Sequence, residues 1–222
     1  MTVFCLGSIN IDHVYRLPAL PRAGETTSAI SHQPGLGGKG VNQSVAAIRA
    51  GARVVHIGAV GQGDRWIEGE LTRHGVPLDH IARVPAGTGH AIVAVDDGGE
   101  NQIIIHSGAN LAQDPALIES TLASARPGDI LLLQNETSHQ VEAAQAARSR
   151  QMSVFYSAAP FALAPLLAVL PHVTHLLVNQ GEAEALVQAS GKGLGDLPVR
   201  AVIVTLGTRG AKWISAGTEP LF

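Results

Sequence analysis

Cysteine, aromatic residues and charged residues are all scarce in this sequence of 222 residues. A single cysteine, Cys5, excludes an internal disulfide, so the fold must be stabilised by its core. Only 15% of the residues are charged, the net charge is −3, and no lysine or arginine cluster exceeds two close neighbours, so we expect no nucleic-acid partner. Hydrophobic residues make up 45% of the chain, which is enough for the core of one large domain.

A long uninterrupted hydrophobic run is also absent. The most apolar segment, residues 161–178, is broken by Pro165 and Pro171, which indicates a buried connection and not a membrane span. His172 and His175 lie in it, but no cysteine or carboxylate lies beside them, so we predict ordinary histidines and no metal site there. No basic region followed by an apolar stretch opens the chain, so we expect no export signal, no membrane partner and a cytoplasmic location.

From residue 53 onward the sequence alternates short branched apolar runs with amphipathic segments. This alternation is typical of β-α-β units around a parallel sheet. Together with a first strand near residues 3–7, strands are predicted at Val54–Ala59, Ile130–Gln134, Ser153–Ser157, Thr174–Val178 and Ala201–Leu206.

Two segments depart from this alternation. Residues 89–106 form two apolar runs around a Gly-rich turn, which predicts a β-hairpin. With residues 29–34 it would form a small sheet, and we expect a lid from about 13–35 and 88–107 within one domain, 1–222. An ordinary sheet extension is the alternative. Either way, the isoleucines of the hairpin would need covering by the domain itself or by a second subunit.

The most glycine-rich stretch is PGLGGKGVNQ, residues 34–43. It contains G-x-G-x-x-G, but no buried strand precedes it as a dinucleotide fold requires. A Walker phosphate loop is excluded because Gly40 follows Lys39 where Ser or Thr is needed. The next residues have helical periodicity, so the stretch predicts a ligand at a helix N-terminus, where Lys39 and Asn42 suit hydroxyl groups. The alternative is a loop that only turns the chain tightly.

Four short motifs extend over nearly the whole chain: GSINID at 7–12, GGKGVNQ at 37–43, NQGEAE at 179–184 and VTLGTRG at 204–210. Through them the chain resembles the ribokinase-like (PfkB) family of sugar kinases. The resemblance implies a three-layer α/β/α fold with a mainly parallel central sheet and a small projecting β lid. It also implies that the C-terminal part of the fold is missing from this chain.

The resemblance implies a sugar site built from several segments. Asp12 would accept two hydroxyl hydrogen bonds at once, and Ala91 and Val93 would form the apolar side of the pocket. The complete set of implied sugar-binding residues is Asn10, Asp12, Gly38, Lys39, Asn42, Ala91, Val93 and Glu136.

The resemblance implies a nucleotide site as well. Asn179 and Glu182 match the family's N-x-x-E motif, with Glu182 near Mg²⁺, and Thr205 and Gly207 would contact the phosphates of ATP. Three local alternatives remain open: Asp12 could cap a turn, Glu182 could cap the start of a helix, and Gly207 could bend a hairpin.

The sequence departs from the family pattern after Thr205. Family members carry a D-T-x-G-A-G-D stretch whose last aspartate is the catalytic base, and this sequence reaches Phe222 without it. The resemblance therefore implies no catalytic residue within this chain. The loop that binds a monovalent cation such as K⁺ in the family, and the helices that cover the adenine, are absent in the same way.

The first hypothesis from the resemblance is transfer of the γ-phosphoryl group of ATP to the primary hydroxyl of a small sugar, D-ribose giving ribose 5-phosphate. A nucleoside or another furanose is the alternative substrate. A hypothesis of another class is a catalytically inactive sugar-binding module that assembles through its lid, and the missing base motivates it. The expected partners are the sugar, ATP and a second copy of the chain.

Overall fold

A computed structural model describes residues 1–221. The strands are β1 (Thr2–Leu6), β2 (Asn10–Arg16), β3 (Ser31–Gly37), β4 (Arg53–Gly61), β5 (Ile81–Val84), β6 (Gly89–Val95), β7 (Asn101–His106), β8 (Ile130–Gln134), β9 (Ser153–Ser157), β10 (His175–Asn179), β11 (Ala201–Thr205) and β12 (Ala211–Ile214). The helices are α1 (Lys39–Arg49), α2 (Trp66–Arg73), α3 (Pro115–Leu122), α4 (Gln140–Ser149), α5 (Leu163–Val169) and α6 (Gln180–Ser190).

Eight strands form the central sheet, in the order β12-β11-β10-β9-β8-β1-β4-β5. All neighbouring pairs are parallel except β11 and β12, which are antiparallel. The predicted parallel α/β sheet is therefore confirmed, and each strand predicted for it is present within three residues of its predicted ends.

The six helices lie on the two faces of this sheet. Helix α1 and helix α4 both contact β8, α1 also contacts β1 and β4, and α4 also contacts β9. Connections between parallel strands are right-handed, so the direction of the crossover decides which face its helix covers. The chain moves toward β5 through α1 and α2, which lie on one face of the sheet. It moves toward β12 through α3 to α6, which lie on the other face. The longest helices have 11 residues, and none within residues 1–221 has the length and hydropathy of a membrane span.

The hydrophobic core lies mainly between the sheet and the layer formed by α3 to α6. Side chains alternate between the faces of a strand, and those turned toward this layer are almost completely buried: Leu131, Val154, Leu176 and Val202. Their strand neighbours on the other face are only partly buried: Leu132, Phe155, Leu177 and Ile203. On that face Trp213 of β12 is 39% exposed. Over β9 to β12 the α1 side of the sheet is thus less covered than the opposite side.

A second sheet of four strands, in the order β3-β2-β6-β7, projects from the first. It contains the predicted hairpin as β6 and β7, and β2 lies between β3 and β6, antiparallel to the first and parallel to the second. Helix α1 follows β3 directly, so this sheet leads into the glycine-rich stretch. On the edge strand β7, Ile103, Ile104 and Ile105 are 54%, 67% and 47% exposed.

Candidate active site

The candidate site lies where the direction of the chain changes across the sheet. From β1 the chain crosses through α1 to β4, whereas from β8 it crosses through α4 to β9 on the other side. In open α/β sheets, ligands bind beyond the carboxyl ends of the strands at such a switch point. The segments that follow β1 and β8 therefore mark the site.

Glycines allow helix α1 to begin in direct contact with the end of β1. A Cβ atom on Gly40 would lie 2.3 Å from the Cα atom of Gly7, so only two glycines permit this approach. Gly38, just before the helix, has φ 99°, and a Cβ atom there would lie 2.6 Å from the carbonyl oxygen of Ser8. Gly38 and Gly40 therefore pack against the backbone that directly follows β1.

Glu136, two residues beyond β8, is the centre of a charged cluster. Its side chain is 7% exposed, and its Oε1 accepts a hydrogen bond from Nζ of Lys39 at 2.6 Å. Its Oε2 accepts from the backbone N–H of Lys39 at 3.2 Å and from the hydroxyl of Ser8. The Ser8 hydroxyl in turn accepts from the N–H of Gly40 at 3.2 Å. The start of α1 and the ends of β1 and β8 are therefore joined through one carboxylate.

Asp12 offers a second carboxylate on the neighbouring strand β2. It lies directly over the backbone of Gly37, where a Cβ atom would come within 2.1 Å of Oδ2. Burial and then the charge of Glu136 raise the pKa of Asp12, while Lys39 and His13 act in the opposite direction. Among residues 1–221 its carboxylate has no hydrogen-bond partner, so both oxygens remain available to a ligand.

Asn10 is placed by a residue that the sequence did not reveal. The side-chain Nδ2 of Asn110 donates to Oδ1 of Asn10 at 2.7 Å, and Oδ1 of Asn110 accepts from the N–H of Ile9 at 2.9 Å. Gly89 makes room for this pair, since a Cβ atom there would lie 2.2 Å from Nδ2 of Asn110. The arrangement leaves the Asn10 amide as a hydrogen-bond donor at the start of β2.

The other predicted sugar-binding residues are placed differently. Ala91 is paired with Asp12 on the adjacent strand β6, and Val93 is two residues further along the same face. Ile105, one of the hairpin isoleucines that the sequence analysis did not assign to the sugar site, lies on β7 and is paired with Ala91. Asn42 is exposed on α1 and lines a separate cavity of about 220 Å³. Lys39 and Glu136 therefore meet at the switch point and Asp12 and Ala91 lie on adjacent lid strands, whereas Asn42 is exposed.

The predicted nucleotide residues lie together at the same edge of the sheet. Asn179 ends β10 and is paired with Thr205, the last residue of β11. Asn179 also begins helix α6: its Oδ1 accepts from the N–H of Glu182 at 2.9 Å, and Glu182 Oε2 accepts from the N–H of Asn179 at 2.8 Å. The helix-cap alternative for Glu182 is thus observed, although only one of its carboxylate oxygens makes this bond.

Gly207 belongs to a tight turn after β11. Its φ of 60° is in the left-handed region that favours glycine. Arg209, in the same turn, donates from Nη2 to Oε1 of Gln180 at 2.6 Å and so joins the turn to helix α6. Sequence reasoning passed over Arg209, which places a positive charge at this end of the site.

A family model for pfkB carbohydrate kinases matches residues 2–221. The chain belongs to that family. Among curated proteins it is 33% identical over 226 residues to a ribokinase of Haemophilus influenzae, covering 94% of this chain and 73% of the relative. It is 31% identical over 227 residues to a ribokinase of Bacillus subtilis, covering 97% and 75%. The crystal structure of a Cryptococcus neoformans ribokinase in complex with ADP superposes with a TM-score of 0.85 at 30% identity, covering 100% and 78%.

Membership of the pfkB family confirms the predicted fold and the class of enzyme, a carbohydrate kinase that uses ATP and Mg²⁺. The residues of this chain fit Mg²⁺ and the phosphates of ATP chemically. Glu182 keeps a carboxylate oxygen for a hard cation, which proteins usually hold through few groups and several waters. Arg209 and the turn at Gly207 suit phosphate oxygens.

The predicted sugar-binding residues and the predicted nucleotide-binding residues are separated by one strand. Glu136 follows β8 and Asn179 ends β10, with β9 between them. Two strand spacings amount to about 10 Å, so the two sets of residues lie near each other along the same edge of the sheet.

Proposed function

We propose that this kinase binds D-ribose at the switch point between β1 and β8 and phosphorylates its primary hydroxyl with ATP. The observation that carries the proposal is the Asp12 carboxylate, half-buried and without a hydrogen-bond partner among residues 1–221, beside the Glu136–Lys39 ion pair. A carboxylate in this state gains most from a ligand that donates two hydrogen bonds, as adjacent sugar hydroxyls do.

The choice of sugar rests on the relatives and on the polar and apolar residues of the proposed site. Relatives at 33% and 31% identity are named ribokinases. In our proposal Asp12, Asn10 and Glu136 hold hydroxyl groups, while Ala91 and Val93 cover the apolar edge of the ring. Asn42 would join this set only through a rotation of its exposed side chain toward the ligand.

For the nucleotide, we propose that Asn179, Thr205 and Gly207 contact the phosphates of ATP and that Glu182 holds Mg²⁺ through water. The transfer step needs a base that takes the proton of the attacking hydroxyl. Asp12 and Glu136 are engaged in binding, and the aspartate that the family uses has no counterpart in residues 1–222. The chain spans about three quarters of the length of these relatives.

We further propose that residues 1–222 form one domain, with the four-stranded sheet as a lid over the sugar and as the contact between two copies. The exposed isoleucines of β7 support this role, because an apolar edge strand favours pairing with another chain. The lid strands β2 and β6 carry Asp12, Ala91 and Val93, so movement of this sheet would change the sugar pocket directly.

Titration calorimetry with D-ribose, 2-deoxy-D-ribose, D-fructose and adenosine tests the sugar site. Ribose should bind most tightly, and Asp12→Ala should weaken it by at least tenfold, since a charged hydrogen-bond pair contributes about 1.5–3 kcal/mol. Asp97→Ala is the matched control, because Asp97 is an exposed aspartate of the hairpin turn that pairs only with Arg16. Unchanged affinity in the Asp12 variant, or tighter binding of adenosine, would contradict the proposal.

Formation of ADP with and without ribose, measured on the intact natural protein, tests the transfer step. Ribose-dependent ADP formation supports the proposed kinase activity. If Asp12→Ala abolishes this ADP formation, the activity belongs to the site that contains Asp12. Ribose binding without ADP formation would favour the sugar-binding module instead. The two measurements therefore separate the site from the chemistry.

A further inference from the structure

Four histidines form a continuous row across the lid sheet, one on each strand: His32 on β3, His13 on β2, His90 on β6 and His106 on β7. The ring centroids of neighbours are 5.3 Å apart for His32 and His13, 6.1 Å for His13 and His90, and 5.2 Å for His90 and His106. Asp12 is adjacent to His13 in β2 and Ala91 is adjacent to His90 in β6, and successive side chains of a strand point to opposite faces. The row therefore lies on the face opposite Asp12 and Ala91.

In one pair of this row, two ring nitrogens are as far apart as two ligands of a single metal ion. Nδ1 of His13 lies 3.1 Å from Nε2 of His32. Zinc–nitrogen bonds are about 2.0–2.1 Å long, so two nitrogens on one ion are about 2.9 Å apart at a right angle and about 3.4 Å apart in a tetrahedron. The observed separation lies between these values. We propose that His13 and His32 form a two-histidine site for a divalent transition metal ion such as Zn²⁺.

The surroundings hold both rings in position. The Tyr15 ring stacks on His32 with a centroid distance of 4.5 Å, and His90 contacts the edge of His13. His32 is exposed and His13 is partly exposed, so an ion can reach them from solvent. Imidazole nitrogens suit Zn²⁺, Cu²⁺ and Ni²⁺, whereas Mg²⁺ prefers oxygen ligands, so this site differs in chemistry from the proposed magnesium site.

The proposed site has two protein ligands. Within residues 1–221, no group of three or more His, Cys, Asp or Glu side chains is placed to hold one ion, so water completes the coordination. Without metal, one imidazole donates a hydrogen bond to the other across the same 3.1 Å. An ion would replace this bond and connect β2 to β3, the two strands that carry Asp12 and Gly37.

Zinc titration of the wild-type protein, followed by calorimetry and by thermal unfolding, tests the proposal. We expect one Zn²⁺ per chain and a melting temperature that rises with zinc, because binding to the folded state alone stabilises it. His13→Ala and His32→Ala should each weaken binding at least tenfold and lose the thermal shift. His106→Ala is the matched control, since His106 lies in the same row but away from the pair. This variant should keep the zinc affinity and the thermal shift of the wild type.

A Cu²⁺ spectrum gives an independent readout. Electron paramagnetic resonance of one bound Cu²⁺ should show coupling to two nitrogens in the wild type and to one in His32→Ala. Equal losses in the His106 and His32 variants would reveal general binding to a histidine-rich surface and overturn the site. Unchanged zinc affinity in His13→Ala and His32→Ala would also overturn the proposed site.

Discussion

At the scale of single residues, Asp12 is ionised in a place that disfavours its charge. Burial and the neighbouring Glu136 raise its pKa above the usual value, so the folded chain takes up this proton at a higher pH than the unfolded chain does. Above the raised pKa, ionised Asp12 therefore lowers the free energy of unfolding. This penalty disappears as the pH falls through the raised pKa to below about 3.9, the pKa of an aspartate in an unfolded chain.

Asp12→Asn should therefore stabilise the protein at pH 7 while it weakens ribose binding. We expect a gain below about 1 kcal/mol, because water screens a half-exposed carboxyl. Urea unfolding of both proteins between pH 4 and pH 8 measures the difference, which should shrink toward acid. A variant less stable than the wild type at pH 7, or a gap that widens toward acid, would show that Asp12 supports the fold.

Gly37→Ala is predicted to displace the Asp12 carboxylate. The added Cβ atom would lie 2.1 Å from Oδ2, so the side chain must turn away from its position over β3. We expect at least a tenfold loss of ribose affinity, measured by calorimetry, with little change in stability. Gly35→Ala is the matched control, because a Cβ atom at Gly35 has open space within 4 Å. Equal affinities in the two variants would mean that the position of Asp12 does not matter.

The sequence indicated some site residues and not others, for physical reasons. Asp12 and Lys39 carry charges within two of the four motifs, and Glu136 lies just beyond a predicted strand, so the resemblance located all three. Ser8 and Asn110 act through hydrogen bonds to partners 128 and 100 residues away in the chain, and no local pattern encodes such contacts.

At the scale of elements, the contact between helix α1 and strand β1 depends on two facing glycines. Gly40→Ala should destabilise the protein by roughly 1–3 kcal/mol, because the new Cβ atom meets backbone at Gly7 that cannot move independently. Gly69→Ala in α2 is the matched control. Its Cβ atom would find open space, so we expect a gain of about 0.5–1 kcal/mol from the higher helix propensity of alanine.

Urea unfolding at neutral pH compares the two variants. A Gly40→Ala protein as stable as Gly69→Ala would contradict the close approach of α1 to β1. A stable Gly40→Ala protein that loses ribose affinity would show that the helix shifts and takes Lys39 with it.

The elements of the central sheet were predictable and those of the lid were less so. Strands β8 to β11 are apolar runs bounded by turn residues, a pattern that follows from burial in a parallel sheet. Strand β2 was not predicted, because one of its faces carries Asn10 and Asp12 and the other carries His13 and Tyr15. The hydrophobic alternation that reveals a strand is lost where both faces hold polar groups.

At the scale of the whole molecule, the edge strand β7 should connect two copies of the chain. Ile104 is 67% exposed, and we expect a mass twice that of the chain by light scattering. Ile104→Lys should lower the mass to that of a monomer, since charge on an edge strand opposes pairing. Leu111→Lys is the matched control, because Leu111 is 60% exposed outside the lid. A monomeric wild type, or a dimer that persists in Ile104→Lys, would contradict this contact.

The ion pair at the switch point also bears on how the chain acquires its native form. Lys39 and Ser8 are joined to Glu136 across 97 and 128 residues, and the chain between Ser8 and Glu136 includes all four strands of the lid. Contacts of such long range form only after their loops have closed, which is slow compared with the formation of helices and hairpins. A nascent or refolding chain therefore gains its secondary structure first and its affinity for sugar last, when β8 pairs with β1.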